Sequence, residues 1–89
     1  MASKLITIVN KLGLHARAAA KFVTLASRFQ SEIQLRRGNR TVNGKSIMGV
    51  MLLAASKGTV LELIAEGEDA SSALAALEEL VSDKFGEGE

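Results

Sequence analysis

Residues 5–28, LITIVNKLGLHARAAAKFVTLASR, change their period halfway along, and that change sets the architecture. Leu5 to Val9 is short, rich in β-branched residues and bounded by Asn10, Lys11 and Gly13, which reads as a strand with Ile6 and Ile8 on one face. From Ala16 the apolar residues recur at Ala19, Ala20, Val23 and Ala26, with Phe22 at the margin. This is the stripe of an amphipathic helix that runs to about Arg28. A strand, a glycine and a helix start follow one another closely, and His15, the chain's single histidine, stands at the junction.

Beyond this unit the alternation continues. Glu32 to Arg37 reads as a half-buried strand with Ile33 and Leu35 pointing one way, and Gly38-Asn39 signals a turn into a short polar strand, Arg40 to Asn43, suited to a sheet edge. Ser46 is placed to cap a short helix, Ile47 to Ala54, that is apolar on more than one side. A small domain does not bury Ile47, Met48, Val50, Met51, Leu52 and Leu53 together, so part of this helix is expected to form an exposed apolar patch. Thr59 to Glu66 alternates again, with Leu61, Leu63 and Ala65 on one face. Asp69 then stands as a cap for the longest helix, Ala70 to about Asp83, striped by Ala73, Leu74, Leu77, Leu80 and Val81. Phe85 to Glu89 reads as an acidic tail that frays. The order βαββαβα predicts an α+β two-layer open-faced sandwich, a four-stranded antiparallel sheet with three helices on one face.

A chain of 89 residues supports one domain, here 1–89, burying roughly 60% of its unfolded surface. With 47% apolar and 24% charged residues and no proline, it has the balance of a folded domain. The absence of cysteine excludes a disulfide framework, a thiolate metal site and a cysteine nucleophile, and one histidine leaves little from which to build a zinc site or a catalytic triad. No metal and no cofactor are expected. No apolar run approaches the roughly 18 residues of a membrane span, and the N-terminus lacks the pattern of a signal peptide, so a cytoplasmic protein without membrane insertion is expected. The net charge of +1 conceals a division: residues 1–57 hold ten Lys or Arg and one acid, residues 58–89 one Lys and nine acids. The basic part, with Arg17, Lys21, Arg28 and Lys45, is expected to be a docking face on which charge steers acidic partner proteins.

Chemistry concentrates at Gly13-Leu14-His15-Ala16-Arg17. A helix start offers unpaired N–H groups and about half a positive charge, so an anion is stabilised there before any side chain contributes. The same field disfavours the imidazolium, so the ring is expected to tend towards its neutral, nucleophilic form. Arg17 adds a fork of donors suited to phosphate oxygens. A lone histidine at a helix start is by itself an ordinary surface residue; glycine, arginine and orphaned amides together make it an anion site. Nothing in the sequence adds a second base or a pocket wall, which is the profile of a phosphoryl acceptor rather than of an enzyme acting alone.

Asn10 to Phe22 (NKLGLHARAAAKF), Gly44 to Met51 (GKSIMGVM) and Ser56-Lys57-Gly58-Thr59 resemble the histidine-containing phosphocarrier family, HPr, of the bacterial phosphotransferase system. The likeness covers essentially the whole chain. It implies that His15 is phosphorylated on Nδ1 by enzyme I, with phosphoenolpyruvate as the source, and passes the group to a histidine of an enzyme IIA protein or domain. It further implies that Arg17 responds to the phosphate, that the backbone of Ala16 and Arg17 donates to it, and that the second helix packs with the first against these partners. The family usually has proline directly after the arginine. Here Ala18 gives up that rigidity for helix propensity and retains an N–H.

The resemblance gives Ser46 a second role beside capping, since the matching serine is phosphorylated in many relatives by HPr kinase/phosphorylase. Lys21, Lys45, Ile47, Met48 and Met51 are expected to dock partners, flexible methionines suiting a surface that meets several. The chain is expected to be a monomer and a carrier, not an enzyme. Its tail and the residues around Asn10 and Ala55 look closer to proteobacterial carriers, some of which serve a nitrogen-related regulatory branch instead of sugar import. A remote alternative is a nucleic-acid-binding module built on Arg36, Arg37 and Arg40, but three Phe with no Tyr or Trp leave it without stacking platforms.

Overall fold

Alternating burial along four strands builds one sheet. In the computed structural model, which describes residues 1–89, the strands are β1 (Ala2–Thr7), β2 (Glu32–Arg37), β3 (Arg40–Asn43) and β4 (Val60–Glu66). They lie in the order β1-β4-β2-β3, every pair antiparallel, with β3 on an edge as its polar sequence required. Ile6, Ile33, Leu35, Leu61, Leu63 and Ala65 point to the buried face. The opposite face carries Leu5, Gln34 and Arg36 in contact with solvent, so the sandwich is open as expected.

Three helices cover the buried face: α1 (Ala16–Ala26), α2 (Ile47–Leu52) and α3 (Ala70–Ser82). The stripe of α1 is rotated from its sequence reading. Ala18, Ala19, Phe22 and Ala26 are buried, Ala20 and Val23 are half-buried, and Ala16 is exposed. Phe22 holds the largest apolar surface on the helix, so its burial outweighs that of any alanine. β1 begins earlier than expected because Ala2 still pairs with Ala65 of β4. Ile8 leaves the ladder yet stays buried, tied by Ile8 N–H to Thr59 O (2.9 Å) and Gly58 N–H to Ile8 O (2.7 Å).

Asp69 occupies the cap position of α3, but its side chain does not cap. The carboxylate instead accepts from the amides of Gln30 (2.8 Å) and Ser31 (2.9 Å) and from the Ser31 hydroxyl, stapling the α1–β2 connection to the start of α3. These donors, the hydroxyl foremost, hold the Asp69 carboxyl below the usual aspartate range.

The tail does not fray. Lys84, Phe85 and Gly86 all take positive φ (58°, 55° and 76°), turning the chain back on itself. Phe85 is thereby buried completely in the common core. Its carbonyl accepts from Lys21 Nζ (2.6 Å), and the Lys11 amide donates to a main-chain oxygen of Glu89 (2.9 Å). One buried aromatic outweighs the polarity of the flanking residues.

Candidate functional site

Asn10 to His15 forms the turn that presents the histidine. Gly13 adopts φ +68°, and a Cβ there would run into the carbonyl of Ala55, so the position requires glycine on both counts. Buried Asn10 closes the turn by donating Nδ2–H to Gly13 O (2.8 Å), and Leu14 N–H donates to Ala55 O (2.8 Å), fixing the turn against the α2–β4 connection. His15 is the extended cap residue of α1, its carbonyl accepting the first helical bond from Ala19 N–H (2.8 Å). The amides of Ala16, Arg17 and Ala18 precede that bond and lack an intrahelical partner; those of the exposed Ala16 and Arg17 are open to an anion.

The His15 side chain retains 28% of its surface, enough for a partner to reach the ring. Arg17 is exposed and forms no ion pair, so its guanidinium is free to turn toward an incoming phosphate. Around them lies an open cleft of about 650 Å³, lined by Lys11, Leu12, Arg17, Lys21 and Glu87 among others.

Glu87 is the residue that sequence reasoning missed. Its Oε2 meets His15 Nε2 while Oε1 accepts from Asn10 Nδ2 (3.0 Å), so the site has both a carboxylate and a wall that the sequence did not disclose. The Asn10 bond first, then the bond to His15 and the positive charge of Lys21, hold the Glu87 carboxyl below the usual range against some loss of hydration. The legible signal was Phe85: a lone aromatic beyond the α3 stripe, followed by glycines on either side of Glu87. At the His15 cleft the separation of charge along the chain is not kept in space, because Glu87 and Glu89 line it together with Arg17 and Lys21.

The other expected residues divide in two. Ser46 is the cap of α2, its hydroxyl accepting from Gly49 N–H (3.1 Å). Ile47, Met48 and Met51 are exposed, at 43%, 72% and 39%, while Val50 and Leu53 fill the core, so the surplus of apolar residues does form a surface patch. Leu52 and, on the His15 turn, Leu12 add exposed apolar surface not singled out from the sequence. Lys21 and Lys45 are tied to main-chain oxygens, Lys21 of α1 to Phe85 in the tail and Lys45 Nζ to Phe29 beyond the end of α1 (2.7 Å), which holds both side chains in place. The exposed arginines of the hairpin donate to main-chain oxygens: Arg37 to Leu53 O (2.8 Å) and Ala54 O (3.0 Å), Arg40 to Leu52 O (3.1 Å), Arg36 to Gly38 O (2.9 Å). Arg37 and Arg40 thereby close the C-terminal end of α2, where cations are stabilised, while Arg36 bonds within its own hairpin turn.

No helix is long and apolar enough to cross a membrane. A family model described as "PTS HPr component phosphorylation site" matches residues 2–83. The chain is 54% identical over 89 residues to phosphocarrier protein HPr of Neisseria meningitidis serogroup A, covering 100% of both chains. It is 58% identical over 85 residues to phosphocarrier protein HPr of Pseudomonas aeruginosa, covering 94% of each. The crystal structure of HPr-C-His from Thermoanaerobacter tengcongensis superposes with a TM-score of 0.94 at 52% identity, covering 98% of each chain.

Proposed function

The chain belongs to the HPr family, phosphocarrier proteins of the phosphotransferase system, and from that membership we propose that it takes a phosphoryl group from enzyme I onto Nδ1 of His15 and passes it to a histidine of an enzyme IIA protein. The observation that carries this reading is a reachable imidazole at the start of α1, beside free helix amides and an unpaired Arg17. The lone pair of Nδ1 attacks phosphorus in line as the bond from phosphorus to the donor's imidazole nitrogen breaks, and the electron pair leaves with that nitrogen. Charge on the transferring oxygens meets the amides of Ala16 and Arg17, the helix dipole and the Arg17 guanidinium. Transfer onward is the same step in the other direction. The chain relies on its partners for the rest of the machinery, as a monomeric cytoplasmic carrier does.

Lys21, Lys45, Ile47, Met48 and Met51 are the docking residues in this reading. Ser46 is the point of control: a phosphate placed there by HPr kinase/phosphorylase brings nearly two negative charges to the cap of α2 beside that patch and repels an acidic partner. Incubation with phosphoenolpyruvate, magnesium and enzyme I followed by intact-mass measurement tests the carrier role. One acid-labile, base-stable phosphoryl group is expected, absent from His15→Ala; no adduct from an active enzyme I overturns it. Enzyme I from the sugar branch and from the nitrogen-related branch, compared in the same assay, separates those two assignments by rate.

A further inference from the structure

We propose that Glu87 is a positioning residue for His15: its carboxylate accepts the Nε2–H of the imidazole and so keeps Nδ1 as the unprotonated nitrogen that attacks phosphorus. The inference rests on the carrier reading above and adds to it a residue from the opposite end of the chain. An ionised carboxylate only accepts hydrogen bonds, so the ring nitrogen facing it carries the proton, and in a neutral imidazole the other nitrogen then holds the lone pair. As the N–P bond forms, the ring gains positive charge while Nε2 keeps its hydrogen, and no proton has to move on the imidazole. The electron pair of the breaking bond leaves with the donor phosphohistidine's nitrogen. Glu87 faces the ring where that charge develops, as orienting carboxylates do elsewhere.

Which atom of Glu87 faces His15 is itself fixed. Asn10 is wholly buried, and its Nδ2 lies between two acceptors, Gly13 O and Glu87 Oε1, while Oδ1 has no partner. Turning the amide over would set oxygen against oxygen at both contacts, so Nδ2 must face Glu87. The side chain at 87 therefore has to present an acceptor to Asn10 and whatever remains to His15. Phe85 in the core, with its carbonyl on Lys21 Nζ, keeps the tail in place independently of that contact.

Glu87→Gln gives the sharpest test. The amide oxygen is held by Asn10 Nδ2–H, so the NH2 group faces His15, makes Nε2 an acceptor and moves the ring proton to Nδ1. Nitrogen-15 NMR of the His15 ring, at a pH where the ring is neutral, is expected to show a protonated Nε2 and bare Nδ1 in the natural protein and the reverse in Glu87→Gln. Glu87→Ala, offering neither group, is expected to give a mixture. Unchanged amide signals around Phe85 establish that the tail has not lifted. Phosphoryl uptake from enzyme I is expected to fall by roughly 10- to 100-fold in Glu87→Gln, the range for removing a partner that orients a functional histidine. The proposal is overturned by Glu87→Gln ring signals identical to those of the natural protein, by Nδ1 protonation in the natural protein, or by uptake rates within twofold. If none of the three proteins accepts a phosphoryl group from active enzyme I, the carrier reading fails, and the ring signals still decide the role of Glu87.

Discussion

Replacing Phe85 with alanine removes the side chain that anchors the tail. Phe85 is fully buried, and burial of such a side chain is worth about 1.5–3 kcal/mol. A cavity would add to this if the tail stayed down, but the segment after α3 can lift, so the loss is capped at the free energy of docking. A cost of about 2.5 kcal/mol follows, which lowers the melting temperature by roughly 10–20 °C in a domain of this length. In urea the midpoint falls by about 1–2.5 M for the usual range of denaturant sensitivity. Circular dichroism during urea or thermal unfolding reads both, and the exposed Leu12→Ala is a control expected to stay within about 0.5 kcal/mol of the natural protein. A Phe85→Ala protein equally close to the natural one would refute the docked tail and with it the structural basis for placing Glu87 at His15.

Three further outcomes follow from the geometry. Gly13→Ala combines a left-handed φ with a collision against the Ala55 carbonyl, so it is expected to cost more than about 1 kcal/mol in chemical unfolding and to disturb the His15 turn. Ser46→Ala removes the hydroxyl that accepts from Gly49 N–H and is expected to cost about 1 kcal/mol by the same measurement, with the fold retained. The Asp69 carboxyl titrates below its ordinary 3.8 in the folded chain, so its stabilisation is complete above that ordinary value and is lost as pH falls through the lower folded one. Asp69→Asn is accordingly expected to be less stable at neutral pH and to converge with the natural protein in acid; stability curves that stay parallel down to low pH would contradict this.

The strands were legible because burial on one face leaves a strict alternation, as in Ile33-Gln34-Leu35 and Leu61-Glu62-Leu63. The His15 junction was legible because Gly13, the helix period and Arg17 lie within five residues. What the sequence did not disclose depends on contacts between distant parts of the chain. Asp69 has the sequence of a cap, but a local pattern does not reveal that Ser31 and Gln30 approach and compete for its oxygens. The tail looked polar because Phe85 is one residue among acids and glycines, and its burial is decided by a space between α1 and α3 that exists only in the fold. The charge division along the chain did not show the acid at the site for the same reason: Glu87 returns across 72 residues to sit on His15.

The central claim is that this chain carries a phosphoryl group rather than merely receiving one. Isotope supplied as labelled phosphoenolpyruvate to enzyme I, this protein and an enzyme IIA protein, sampled over time, follows the group along the whole relay. The label is expected to appear first on His15, to move to enzyme IIA only when this chain is present, and to reach neither with His15→Ala. Label that accumulates on the chain and never discharges, or that reaches enzyme IIA equally well without His15, would contradict the account.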